Sequence, residues 1–291
     1  MPPADSIARV FELAALARGF QRAGIATVAL KGPALSQLLH GDPHRRPCRD
    51  LDILTPPDDI PDALRVVRNL GYEPDAPFHR IDLRHAVRHT CEIPLHKANG
   101  VKLDLHWGLA APHYPLRCPV EDLFASARPV RLASTSVLTP AGLPLLRYLA
   151  FHGAKHVWEK AVWIEDIAAL LAVMDPPARA EALSDPDPAV QLALALAHAS
   201  LGSPRGLAGR GMDDLAAEIA ARGGREPETR ERADLARRLG AERSALVRHW
   251  IGCLLGPTEL DWDWLALPDR CEILYPAVRV ARLAAAAWSR T

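Results

Sequence analysis

CRDLDILT, residues 48–55, reads as a strand, because Leu51, Ile53 and Leu54 supply its apolar faces. Side chains alternate across a strand, so Asp50 and Asp52 point to the same side. Two like charges that close repel one another, and desolvation makes each less favourable. A sequence accommodates such a pair where something positive sits between the carboxylates. On this reading Asp52→Asn relieves repulsion and leaves the fold intact.

The residues before this strand form a strand, a tight turn and a helix. ATVALKG (26–32) is a short run ending in glycine, and PALSQLLH follows with Leu35, Leu38 and Leu39 at helical spacing and Pro33 at the first helical position. Residues 5–23 form an earlier amphipathic helix that Gly24 ends. After the strand, PPDDIPDALRVVRNLGY has acids at its start, arginines near its end and Gly71 as a stop, which predicts another helix. Residues 85–97 and 101–107 are strand candidates around the hairpin signal Asn99-Gly100. In VKLDLHW, Val101, Leu103, Leu105 and Trp107 face one way, and Lys102, Asp104 and His106 the other. Pro94 marks the preceding strand as an edge or bulged one. Beyond residue 138, alanine- and leucine-rich helical patterns replace strand signals, separated by Pro and Gly clusters. The expected organisation is an α/β unit over residues 1–138 and a helical unit over residues 139–291.

Asp50, Asp52 and Asp104 thus lie on polar faces of two strands that one sheet can bring together. Convergent carboxylates suit divalent-metal chemistry on phosphates: Mg²⁺ takes hard oxygen ligands, and two ions about 3.5–4 Å apart activate an attacking oxygen and stabilise a leaving one. Glu92 in the facing strand competes with Asp104 for the third position. LKGPALSQLL supplies a phosphate cradle, with Gly32 where backbone must come close and a helix N-terminus behind it.

LKGPAL, RDLDILT, LGY at 70–72 and VKLDLHWGL together resemble the little-characterised bacterial nucleotidyltransferases known as NTP_transf_5, within the polymerase-β-like superfamily. FHGAKHVWEKAVWIEDIAALL at 151–171, and DWDWLALP and LYPAVRVARL near the end, match the same family's habits, whereas 178–250 contributes little. The resemblance implies an α+β fold: a nucleotidyltransferase-type mixed sheet with flanking helices, and an all-α companion domain. It implies an NTP-using, Mg²⁺-dependent transferase, with Mn²⁺ as a substitute ion; the acceptor expected here is a small molecule or peptide. Some members resemble accessory proteins of peptide natural-product pathways. Carried over by motif, Asp50, Asp52 and Asp104 hold the metals, and Asp104 assists in deprotonating the acceptor. Gly32 approaches the triphosphate, and Lys31 or Arg49 neutralises it. The wider superfamily places Ser after this glycine; here Pro33 offers neither hydroxyl nor N–H, and Ser36, one turn on, is the substitute. A non-catalytic NTP- or peptide-binding protein of the same fold is the alternative.

Other signals receive plainer readings. His152 and His156 share a helix face, but Gly153 stands where a zinc protease needs Glu, so His152, Lys155 and His156 are assigned to the cleft wall near base or phosphates. Asp166 either orients one of these groups or pairs with a core arginine. His79, His85, His89, Cys91 and His96 match no zinc spacing and read as a mobile surface segment running into a strand. Trp158, Trp163, Trp262 and Trp264 read as core or interface anchors. The 35 basic and 35 acidic residues cancel, which argues against nucleic-acid binding. Five scattered cysteines, the charges within residues 1–21 and the absence of a long apolar run predict a cytoplasmic protein with no membrane segment.

Overall fold

The computed structural model describes residues 3–78, 81–207 and 209–288. Helix α1 (Ala4–Ala23) leads into strand β1 (Val28–Ala29), helix α2 (Gly32–His40) and strand β2 (Asp50–Leu54). A 3₁₀ turn precedes α3 (Ile60–Asn69), followed by β3 (Tyr72–Pro74), α4 (Leu83–His89), β4 (Glu92–Lys97) and β5 (Lys102–His106). Next come α5 (Val120–Ala125) and a hairpin of β6 (Arg128–Leu132) and β7 (Thr135–Thr139). The remainder is helical: α6 (Gly142–Lys155), α7 (Ala161–Val173), α8 (Pro176–Leu183), α9 (Pro188–Leu201), α10 (Arg210–Ala221), α11 (Thr229–Arg238), α12 (Arg243–Leu255), α13 (Glu259–Trp264) and α14 (Tyr275–Trp288).

The fold is α+β, with a mixed five-stranded sheet ordered β1-β2-β5-β4-β3 and a separate β6–β7 hairpin. Strand β2 runs antiparallel to β1 and parallel to β5. That parallel pairing places Asp52 directly opposite Asp104, and Leu54 opposite His106. The apolar alternation read in VKLDLHW is the buried face: Leu103 and Leu105 are fully buried against α1 and α3 in one hydrophobic cluster. A second cluster joins α6, α7 and α9 to Val28, Leu30, Leu35, Leu39 and Leu54, so one apolar core spans both sides of residue 138.

Two local expectations change. Residues 83–89 are a helix rather than the start of a strand, because the Asp82 side chain caps it, accepting from the Arg84 N–H at 2.7 Å. His85 within it is buried between Tyr275 and Trp262 and pairs with Glu272 at 3.2 Å, so this histidine belongs to the core, whereas His96 is exposed. His79 lies outside the described residues. Strand β4 is interior, flanked by β5 and β3, despite Pro94. The Pro94 carbonyl accepts from the Asp75 N–H beyond the end of β3, so its missing donor faces the side where the ladder has stopped. Among the described residues, no helix is long and apolar enough to cross a membrane.

Candidate active site

The β2–β5 pair and the α6–α7 pair face each other across a cleft of about 520 Å³. Asp50, Asp52, Asp104, His106 and Glu92 line the strand wall. Lys31, Arg46, Arg49, Lys155 and Lys160 bring positive charge around it, with Tyr148, His152, His156 and Trp163 on the helical side.

Each strand contributes through its period of two. Asp50 and Asp52 share one face of β2; Asp104 and His106 share the same face of β5. Ligand atoms of Asp52, Asp104 and His106 lie within 4.8 Å of one another. Asp50, at the strand's first position, lines the cleft beside them without joining that set of three. Glu92 enters through His106: its carboxylate is 2.9 Å from Nδ1, while Nε2 is 3.4 Å from Asp52. The imidazole therefore bridges Glu92 and Asp52, and Glu92 faces the ring while Asp104 shares the close set with Asp52.

The charges are strongly coupled. Burial disfavours ionised Asp52, but the Lys31 ammonium at 3.2 Å and the His106 ring overcome this and hold its carboxyl well below the usual range. Burial works against a charged His106 too, and Glu92 and Asp52 outweigh it, raising its pKa well above the ordinary value. Glu92 is drawn down to about 2 against burial, chiefly by His106. Asp104 goes the other way: burial, then Asp52 and Glu92, lift it to about 7. Burial followed by Asp52 raises Asp50 as well. The cluster holds more carboxylate than its local cations balance. Its carboxylate oxygens fit a hard divalent cation, while His106, held as an imidazolium between Glu92 and Asp52, keeps both ring nitrogens on those acids.

The Asp52–Lys31 pair reverses the expectation for Asp52→Asn. The carboxylate relieves a buried lysine, so its removal strands that charge. Lys31 also stands 3.5 Å from His152 Nε2, which ties the start of α2 to α6. Gly32, directly after it, has φ +64°, a conformation that side chains with a Cβ resist. Ser36 stands apart from the cleft: it is fully buried, its hydroxyl donates to the Asp42 carbonyl at 2.6 Å and accepts from the Arg46 N–H at 3.0 Å. Arg49 is exposed at the cleft's edge. Lys155 donates to the Leu109 carbonyl at 2.9 Å.

On the helical wall, His152 and His156 are 4.8 Å apart and both pack on Trp163. Among the described residues, no third His, Cys, Asp or Glu joins them at ligand distance. Burial, then nearby lysines, push both imidazoles down, His156 to about 3. A Cβ at Gly153 would overlap the Trp158 ring, which accounts for the glycine between the histidines. Asp166 pairs with Arg46 through Nε at 2.8 and 3.0 Å, both buried, and this pins the 41–49 loop to α7.

Sequence reasoning missed His106, Arg46, Tyr148 and Lys160. His106 had a signal, since it shares the Asp104 face two residues on. Arg46 and Tyr148 had none, because only tertiary packing brings them to the cleft.

A family model described as an uncharacterised nucleotidyltransferase matches residues 4–201. No curated protein matches the chain. Among solved structures, an antigenic nucleotidyltransferase-like protein from Paracoccidioides brasiliensis aligns at 18% identity and a TM-score of 0.45, over 76% of this chain and 95% of that one.

Proposed function

The chain belongs to the uncharacterised nucleotidyltransferase family, and from that premise we propose that it transfers a nucleoside monophosphate from an NTP to an acceptor nucleophile. The observation that carries this reading is the facing of an acidic strand wall and a basic wall across one cleft. Asp52 and Asp104, with Asp50 beside them, would hold divalent cations, Mg²⁺ or Mn²⁺. Bound there, such ions activate the attacking oxygen and neutralise charge on the phosphates. The remaining work is positioning and electrostatics. Lys31, Arg46 and Arg49 are placed to receive the triphosphate, and Lys155 and Lys160 extend the same positive field. Asp104, with its carboxyl near neutrality, is the residue to take the acceptor's proton. His152 and His156 stay neutral and offer hydrogen bonds without charge. The acceptor, a small molecule or peptide, enters from the helical side. The family resemblance is what supports a role in peptide natural-product tailoring, and the five scattered cysteines support a cytoplasmic one.

The test is transfer of label from each α-phosphate-labelled NTP to acceptors in a metabolite and peptide mixture, with Mg²⁺ or Mn²⁺. Label on an acceptor with wild type and none with Asp52→Asn supports transfer. One observation favours a second reading, a non-catalytic NTP-binding protein: Pro33 removes an N–H from the start of α2. Metal-dependent NTP affinity by calorimetry, with no labelled product from any acceptor, would favour that protein instead.

A further inference from the structure

Away from the cleft, three side chains that the transfer chemistry does not use converge between the loop after β5 and helix α12. His249 and Cys253 lie four residues apart on α12, hence on one face. His113 reaches them from the loop: Cys253 Sγ is 4.0 Å from His113 Nε2 and 3.7 Å from His249 Nε2. The two imidazoles stack at 5.6 Å with 29° between their planes. Ligand atoms of all three residues fall within 4.8 Å of one another. In tetrahedral zinc sites, Zn–S near 2.3 Å and Zn–N near 2.0–2.1 Å place sulfur and nitrogen about 3.6 Å apart. The two sulfur–nitrogen spacings need only a few tenths of an ångström of closure.

A second observation concerns Gly252, which sits between the two helical ligands. A Cβ there would overlap the His113 ring. Glycine within a helix costs roughly 0.5–1 kcal/mol relative to alanine. Here it lets the loop imidazole press against the helix backbone, where the Cys253 thiol can reach it. The surroundings are fixed from other directions as well. Arg279 of α14 donates to the Cys253 carbonyl at 2.9 and 2.6 Å, and Tyr114 meets the His249 ring edge-on. His249 is buried, and Cys253 and His113 are half-buried, leaving room for a fourth, solvent-derived ligand.

We propose that His113, His249 and Cys253 form a zinc site that staples α12 to the loop leaving the strand of Asp104 and His106. Two imidazoles and a thiolate are a soft-to-borderline donor set that takes Zn²⁺ over Mg²⁺ or Ca²⁺. Binding releases the Cys253 thiol proton to solvent and forms one Zn–S and two Zn–N bonds, with no change of oxidation state. The site is chemically distinct from the carboxylate cluster, which is built for hard cations.

Co²⁺ substitution tests it. The full, reduced, chelator-treated chain is titrated with Co²⁺ in excess Mg²⁺, and absorbance is followed for thiolate-to-cobalt charge transfer and the visible bands of tetrahedral Co²⁺. One equivalent should produce both, and Zn²⁺ should abolish both stoichiometrically. Cys253→Ser should remove the charge-transfer band, and His113→Gln should weaken Co²⁺ affinity by about a hundredfold or more. Asp104→Asn should retain the full signal. Circular dichroism confirms that each variant is folded. The proposal is overturned by Co²⁺ binding without a thiolate band, which would leave only thiol–imidazole contacts. It is equally overturned by a band that survives Cys253→Ser and vanishes in Cys91→Ser, because the Cys91 thiol contacts His106 and the metal would then lie there.

Discussion

On the strand wall of the cleft, Asp52 and Asp104 are neighbours across the parallel β2–β5 pair; on the helix wall, His152 in the last turn of α6 and His156 at its C-cap are neighbours. Both walls crowd ionisable groups into buried space, and they resolve the crowding in opposite ways. The strand wall keeps Asp52, Glu92 and His106 charged by pairing them and leaves Asp104 short of a partner. The helix wall discharges its histidines, since lysines already surround them. A cleft that keeps Asp52 and Glu92 ionised and holds its helix-wall imidazoles neutral gathers cations on one side and sets uncharged imidazoles among lysines on the other.

Asp52→Asn should break the strand wall most severely. Transfer should fall by at least about a thousandfold, as expected when charge aimed at the reacting phosphate is removed. Stability should also fall by roughly 3 kcal/mol, because Lys31 loses its buried partner. Chemical denaturation beside the transfer assay separates the two. A fully stable variant would mean that the Lys31 contact contributes nothing.

The Arg46–Asp166 pair connects the walls, and its loss is next in size. Asp166→Asn should destabilise by about 3 kcal/mol, since it leaves a buried guanidinium uncompensated. Replacing both, as Arg46→Met with Asp166→Leu, should recover much of that. A double-mutant cycle on unfolding free energies measures the coupling, and additive losses would show that the pair does not act as a unit.

The walls should part in acid. His156 titrates near 6.5 when unfolded and near 3 when folded. As pH falls below 6.5 the unfolded chain binds a proton that the folded chain refuses, so stability drops on acidification. The loss should reach about 2 kcal/mol by pH 5 and vanish in His156→Gln. Glu92 works through a lower window: its folded pKa is depressed, so its contribution is present above its ordinary 4.5 and lost as pH falls toward about 2. Thermal melts between pH 7 and pH 3 should show the helix wall yielding first.

The same contrast explains what the sequence made legible. Strand faces follow from a period of two, so Asp50, Asp52, Asp104 and the turn at Asn99-Gly100, where Gly100 has φ +83°, were readable locally. Register is not local. Only the parallel alignment of β2 with β5 sets Asp52 against Asp104, and only β4 antiparallel to β5 brings Glu92 opposite His106. The helical wall was readable as a face, His152 with His156. Its partners Trp163, Lys31 and the Arg46–Asp166 pair arise from packing between segments more than a hundred residues apart in the case of Lys31 and Arg46. The β6–β7 hairpin escaped because its alternation, with Val130, Leu132 and Val137 inward, is short and interrupted by Pro129.

Ser36 gives the smallest and sharpest test. Its position one turn after the glycine made it a candidate for the phosphate contact that Pro33 cannot supply. In the fold its hydroxyl is spent on the loop between α2 and β2, bonding Asp42 and the Arg46 backbone. Ser36→Ala should therefore cost about 1–2 kcal/mol of stability by leaving the buried Arg46 N–H without its acceptor and removing the short bond to the Asp42 carbonyl. NTP affinity, measured by calorimetry, should change less than threefold as long as Arg46 keeps its bond to Asp166. If affinity instead falls tenfold with the loop intact, the hydroxyl leaves Asp42 for phosphate on binding, and the start of α2 grips the nucleotide despite its proline. The strand wall would then depend on a rearranging loop, and not on a phosphate site already formed around Lys31.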